Sequence, residues 1–365
     1  MNNSKKLRTK KEKEIKKSEK PITSISKPWL ITALVLVVML IGGLIFDQLY
    51  TPNIMKVDGK KYSLQDLSYY FYSVESNYAS YNSMFGGSSW DMPINEDGTT
   101  MREQAKKDAV NESLRAVILS NEAVKKGYKL TDEEKKTVDS TVNSLLKSQF
   151  SKEVINKNHF TKSYLKKIIE GTTLVSRFRE DKLKEAKIDK DKITAGISKD
   201  KFRQYDIEYL YAATEKTDSE GKTTKFSEAD KKAAYEKLQS YYDKSKTTKD
   251  WSKLVPTDET AIIYKTLSFI KEDSTTFSDD FKAKILAMKN GDVSELTEST
   301  NGYFIVRMVE NNSTKRYESE VQSAITTAEN QAFDKIYEDI KKSHPNKLND
   351  GSIKRLKMGA LTITE

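Results

Sequence analysis

Residues 284–310 read KILAMKNGDVSELTESTNGYFIVRMVE, and the signals in this stretch decide the fold of the second half of the chain. A helix over about 278–289 is closed by Asn290-Gly291, and Tyr303-Phe304-Ile305-Val306-Arg307-Met308-Val309 then has the β-branched and aromatic composition of a strand. Upstream, Asp206-Ile207-Glu208-Tyr209-Leu210-Tyr211 alternates with period two, as does part of Ala261–Ile270, and a further helix is expected near 227–245. Strand, helix, helix and strand within 203–312 predict a small α+β domain.

Before this module the periodicity is helical. Asp58-Gly59 sits between two short β-like runs and suits a tight turn. Leu64, Leu67, Phe71, Val74, Tyr78 and Tyr81 then form one helical stripe, followed by a loop containing Phe85, Gly86, Gly87 and Trp90. A helix over about 100–126 faces Val110, Leu114, Val117 and Val124 inward and ends at Gly127. Thr131-Asp132-Glu133-Glu134 fits a capping box, and helices over about 132–149 and 161–186 follow. The lysine- and aspartate-rich stretch 184–201 reads as a linker or a solvated helix edge. The last helix, about 317–342, is too long for the small domain. The expectation is therefore an all-α lobe built from 54–200 and from a returning helix at 316–343, with 203–312 inserted between them. The tail 344–365 is polar and carries no signal, and both His159 and His344 are expected in solvent.

From Trp29 to Phe46 the chain has eighteen residues without a charge, enough to cross a bilayer core as a helix. Residues 1–28 carry ten Lys/Arg against three Glu, whereas Asp47 follows the apolar run directly. This asymmetry predicts one transmembrane signal anchor with its N-terminus in the cytoplasm and the rest outside the cell membrane. Cleavage as a signal peptide is the competing reading, and no small-x-small site follows Phe46 to support it. The expected fold class is thus α+β with one transmembrane helix.

Composition narrows the chemistry. The 365 residues are 36 % hydrophobic and 32 % charged, which argues against one large compact core. Cysteine is absent and histidine occurs twice, so disulfides, a thiol nucleophile and histidine-rich metal or triad sites are excluded, and neither a metal nor a cofactor is expected. The net charge of +9 is concentrated in the first 28 residues, so it is a poor nucleic-acid signal.

Taken together, these segments resemble the SurA/PrsA-like foldases, in which a helical lobe carries a parvulin-type (PpiC) peptidyl-prolyl isomerase domain. The resemblance runs from Met55 to about Lys342 and is most specific at 284–310, similar to the parvulin order of helix, Asn-Gly-Asp-Val-Ser, Gly-Tyr and closing strand. It implies a proline pocket that uses Asp258, Phe277, Phe281 and Ser299. The two histidines usual in active parvulins are unmatched, with Tyr209 and Phe304 in their places. Two readings of the phenylalanines stand open, a pocket wall or a core between helix and sheet. Asp258, beside Pro256 and Thr257, equally suits a plain turn.

Function follows in three versions. The chain is an anchored foldase that binds unfolded, newly translocated polypeptides and turns prolyl bonds, or a holding chaperone with a degenerate isomerase domain, or an envelope-assembly scaffold. Tyr69, Tyr70 and Tyr72, off the stripe of the first helix, and Phe85 and Trp90 in the glycine-serine loop are the expected client contacts.

Overall fold

The computed structural model describes residues 53–84, 86–87 and 89–363. The basic tail 1–28, the expected membrane segment 29–46 and the client candidate Phe85 lie outside the described residues. The expected fold class is corrected here to a mixed α+β fold, because no helix among the described residues is long and apolar enough to cross a membrane. Even the 28-residue helix Lys315–Lys342 is amphipathic and interrupts its apolar positions with charges throughout. Contacts divide the described residues into two compact units, 53–178 with 337–363 and 179–336.

The first unit is not all-α, as the sequence had suggested. Strands β1 (Asn53–Val57) and β2 (Lys60–Ser63) form the expected hairpin, with Asp58 at φ 51° and Gly59 at φ 81° in the turn. A third strand, β9 (Asn346–Leu348), pairs antiparallel with β1, so the tail that carried no sequence signal completes the sheet. Helices α1 (Leu64–Met84), α2 (Met101–Lys125), α3 (Asp132–Ser144), α4 (Lys152–Asn158) and α5 (Lys162–Glu185) follow β2, and α10 (Asp350–Arg355) comes after β9.

Thr100 and Thr131 both make complete capping boxes, with Glu103 and Glu134. The stretch read as one helix over 132–149 instead changes to a π turn at Leu145–Gln149. Val138, Val142, Leu145, Val154, Phe160 and Leu165 pack as one core. The inward stripe of α2 holds at Val110, Leu114 and Val117, but Val124 is exposed because the buried face rotates onto Ile118, Glu122 and Ala123.

The second unit is built on a four-stranded antiparallel sheet, order β6-β3-β8-β7, with β3 at Gln204–Ala213, β6 at Ile263–Ile270, β7 at Thr297–Ser299 and β8 at Gly302–Ser313. A short hairpin, β4 (Glu215–Thr217) and β5 (Thr223–Lys225), precedes α7 (Glu228–Thr247), and α8 (Asp279–Leu286) leads towards β7. Helices α6 (Lys190–Ala195) and α9 (Lys315–Lys342) complete the chain order.

Alternation along the strands sorts two cores onto opposite faces of the sheet. One holds Ile207, Tyr209, Phe304 and Val306 with Phe281 and Ile285 of α8. The other holds Leu210, Ala212 and Ile305 with Leu238 and Tyr241 of α7 and with Trp251. Gly302 begins β8 where a side chain has no room, since a Cβ there would overlap the Tyr211 ring and the Ala212 carbonyl oxygen.

Candidate functional site

Strands β3 and β8 are neighbours, with Tyr209 opposite Val306 and Tyr211 opposite Phe304. The period-two backbone therefore brings Tyr209, Tyr211 and Phe304 to one face, where Phe277 and Phe281 meet them. The Phe277 ring lies 5.7 Å from Tyr209, 5.5 Å from Phe281 and 5.2 Å from Phe304, each edge to face. Phe304 also touches Tyr209 at 5.9 Å and Tyr211 at 4.9 Å. Tyr209, Phe277, Phe281 and Phe304 are exposed by 8, 4, 2 and 1 %, so these rings are sealed against one another. Burial pushes the Tyr209 phenol up, despite a hydrogen bond with Thr276 that lowers it.

Ser299 stands at the edge of this cluster, but its hydroxyl is committed elsewhere. Its Oγ accepts from the backbone N–H of Ser278 at 2.7 Å, which satisfies one of the free amides at the start of α8. Thr300 likewise donates to the Thr276 carbonyl, tying the β7–β8 turn to the segment that carries Phe277.

Asp258 does not join the aromatic cluster. It lies exposed in a turn closed by the Glu259 N–H on the Pro256 carbonyl at 3.1 Å, and its charge acts on Tyr241, which belongs to the opposite core. The neighbouring Glu259 accepts from Lys237 at 2.9 Å and from the Ala261 N–H at 2.9 Å. The Lys237 ammonium and that amide hold its carboxyl at about 2, well below the ordinary value, although partial burial opposes them.

The same opposite face holds an ion pair that the sequence reading missed. Glu208, 6 % exposed, accepts from the Arg307 guanidinium and, at 2.9 Å, from the Tyr264 hydroxyl. Arg307 also donates to the Thr248 and Lys249 carbonyls at 2.9 and 2.7 Å and covers the Trp251 ring. The available signal was a carboxylate and a guanidinium in the middle of two β runs, each on a residue whose parity points inward.

The proposed client residues separate in the first unit. Tyr69 and Tyr72 are half-buried at the edge of the core against Phe160, with ring centroids at 6.2 and 5.8 Å. Off-stripe positions are covered there because α4 and the start of α5 pack on that side of α1. Tyr70 lines a cavity of about 130 Å³ with Tyr62, Ser120 and Ile168, and burial pushes its phenol up. Trp90 is half-buried under the Arg102 guanidinium. Unforeseen apolar exposure lies nearby, with Tyr81, Met84, Met92 and Ile94 at 54, 81, 56 and 42 %. The last turn of α1 and the loop after it carry all four, and Asn82 joins them by bonding Gly87 and Ser89.

Two buried polar centres in the same unit were also missed. His344, expected in solvent, is 3 % exposed, with Nδ1 2.7 Å from Asp58 and Nε2 3.1 Å from Glu122. Burial would raise the Asp58 carboxyl, but hydrogen bonds from His344 and Asn121 and the charges of His344 and Lys125 bring it below its ordinary value. Glu75 is fully buried in α1 and accepts from Gly359, Leu361, Thr362 and Ile363.

Against known proteins, residues 198–323 match the family model described as PPIC-type PPIASE domain. The chain therefore carries a parvulin-type domain of the rotamase class. Among solved structures, the chain is similar to the foldase protein PrsA of Lactococcus lactis at 16 % identity, covering 83 % of this chain and 96 % of that one with a TM-score of 0.30. It is similar to PrsA of Bacillus subtilis at 16 % identity, with 70 % and 93 % covered and a TM-score of 0.23, and to the peptidylprolyl isomerase PrsA of Bacillus anthracis at 17 %, with 65 % and 97 % covered and a TM-score of 0.20. Comparison with curated proteins gives no match.

Proposed function

We propose that this protein is a foldase that acts chiefly by holding non-native polypeptides, its parvulin-type domain keeping the fold of an isomerase with the proline site filled. The observation that carries this reading is the exposed apolar group of Tyr81, Met84, Met92 and Ile94 around one loop. Flexible methionines on such a surface adapt to many partners, and exposed large apolar groups brought together on one loop favour an interaction site. Trp90 and Phe85 belong to the same loop in sequence. The test is suppression of aggregation of two unrelated unfolded substrates by residues 53–363. Protection that weakens in Met84→Ser/Met92→Ser supports the reading, and protection unchanged by that pair overturns the role of the patch.

Prolyl isomerisation is the second reading, favoured by the family match over 198–323. It breaks no bond and lowers a rotation barrier of about 18–20 kcal/mol, so a general base is dispensable. It does need room for a proline ring, and Tyr209, Phe277, Phe281 and Phe304 take that room. A prolyl-peptide assay with several residues before proline is expected to give no rate above background, and a clear rate would restore the enzyme. The compartment belongs to the proposal as well. The concentration of basic residues before position 29 supports work outside the cytoplasm, which protease accessibility on intact cells would check.

A further inference from the structure

The stretch Leu356-Lys357-Met358-Gly359-Ala360-Leu361-Thr362-Ile363 has neither helix nor strand from residue 356 onward, yet Leu356, Met358 and Thr362 are 6, 0 and 2 % exposed. It lies in a groove that reads its main chain. Arg102 donates to the Met358 carbonyl, Lys157 Nζ to the carbonyls of Ala360 and Ile363 at 2.8 and 2.6 Å, and Asn158 Nδ2 to that of Thr362 at 2.7 Å. In the other direction the Glu75 carboxylate accepts the backbone N–H groups of Gly359, of Leu361 at 3.0 Å, of Thr362 at 2.6 Å and of Ile363 at 3.3 Å. One side chain of the segment joins in, the Thr362 hydroxyl, which donates to Glu75.

This pattern has two consequences. Main-chain bonding of this kind accepts many sequences, with apolar contacts selecting among them. Moreover, a fully buried carboxylate is costly unless amide donors satisfy it, so the groove requires a polypeptide backbone and cannot stand empty cheaply. The fit of the present occupant is loosely specified except at one point. Gly359, at φ +101°, lies where a Cβ would meet Arg102 Nη1 at 2.9 Å and the Trp90 ring at 3.0 Å.

From this geometry we infer that the groove formed by Glu75, Trp90, Arg102, Lys157 and Asn158 is a binding site for glycine-containing polypeptide segments in a turned conformation, and that residues 356–363 are its resident placeholder. A client segment rich in small and apolar residues takes the same hydrogen bonds once the placeholder leaves. The inference rests on the client-holding reading above and adds to it a competition within the chain.

The experiment uses Gly359→Val in the full chain, which dislodges the segment while leaving every groove residue in place. Amide exchange at 359–363 is expected to accelerate. A labelled peptide of sequence LKMGALTI is expected to bind this variant at least about tenfold more tightly than the parent, since a placeholder that fills the site lowers apparent affinity by the fraction of chains left open. The unlabelled peptide should displace a labelled unfolded client from the variant, and adding Glu75→Gln should abolish peptide binding. Release of 359–363 with no gain in peptide affinity overturns the inference, as does client binding insensitive to the peptide.

If Gly359→Val leaves exchange unchanged, a chain ending at Arg355 takes its place. Loss of the fold in that chain, judged by circular dichroism and not restored by the added LKMGALTI peptide, also overturns the inference, because a placeholder must be replaceable by a segment supplied separately. Peptide binding to Gly359→Val without any protection of unfolded substrates would instead sink the holding reading and leave the groove standing.

Discussion

Truncating Phe304 to alanine separates a core from a pocket. The side chain is 1 % exposed and meets four other rings, those of Tyr209, Tyr211, Phe277 and Phe281, with centroids between 4.9 and 6.3 Å. Removing a buried phenylalanine loses its transfer free energy and leaves a cavity, together about 3–5 kcal/mol. The upper half of that range is expected here, because Phe304 sits on β8 between β3 and β7 and its neighbours are held by the sheet and cannot close the gap. Phe304→Leu, which keeps most of the volume, should cost less than about 1.5 kcal/mol. Urea titration of the full chain, read by amide exchange in β3 and β8, reports the difference as a shift in midpoint at constant slope. A cost for Phe304→Ala below about 1 kcal/mol would place the ring at an open wall, where such substitutions are cheap. A prolyl-isomerisation rate in the parent chain that this truncation abolishes would refute the filled-site reading outright, since a filled site has no rate to lose.

Other outcomes follow from the same geometry. Arg307→Met strands the Glu208 carboxylate at 6 % exposure and should cost about 3–5 kcal/mol in the same titration, whereas Glu208→Gln/Arg307→Met should recover most of it. Glu259, held at about 2, binds its proton more weakly folded than unfolded. Its stabilisation is therefore complete above its ordinary carboxylate value of 4.5 and fades as pH falls from there towards 2. The midpoint gap between the parent chain and Glu259→Gln should close over that window, and a gap independent of pH would show that Lys237 is not the cause. Gly302→Ala forces a Cβ into Tyr211 and the Ala212 carbonyl, and a melting temperature within a degree or so of the parent would contradict the close approach drawn here.

Legibility in the sequence tracked the range of the interactions involved. The capping boxes at Thr100 and Thr131, the Asp58-Gly59 turn and the alternation of β3 and β8 are local, and local spacing reveals them. Strand β9 is three residues, Asn346-Lys347-Leu348, with no alternation to detect, and it exists because β1 offers a free edge. His344 looked solvated because its sequence neighbours are polar, whereas its partners Asp58 and Glu122 stand 286 and 222 residues away. The segment 356–363 showed nothing because all but one of its hydrogen bonds to the groove are made by the backbone, which every sequence shares, and its buried Leu356 and Met358 follow no helical or strand period. The readable trace was on the other side of the groove. Glu75 falls four residues after Phe71 and directly follows Val74, a carboxylate on the buried face of α1. In the parvulin-type domain the resemblance gathered Tyr209, Phe277, Phe281 and Phe304, but whether rings seal or line a space depends on packing distances that no spacing encodes.

Holding and isomerising place opposite demands on a site, and the proposed function assigns them to different units. A holding surface gains from adaptable groups and main-chain bonds, since both tolerate changes of client sequence. An isomerase site needs a ring-shaped vacancy that stands open before the substrate arrives. To open one in the aromatic cluster, at least one buried ring must swing into water, at about 1.5–3 kcal/mol even if an incoming proline refills the space. At 1.4 kcal/mol per decade, that lowers apparent affinity by about ten- to a hundredfold before any barrier is touched. The loss is avoidable by widening the vacancy, so Phe281→Ala should bind a proline-containing peptide more tightly than the parent chain if it stays folded. Equal affinity in the two would mean that the rings are not what keeps proline out.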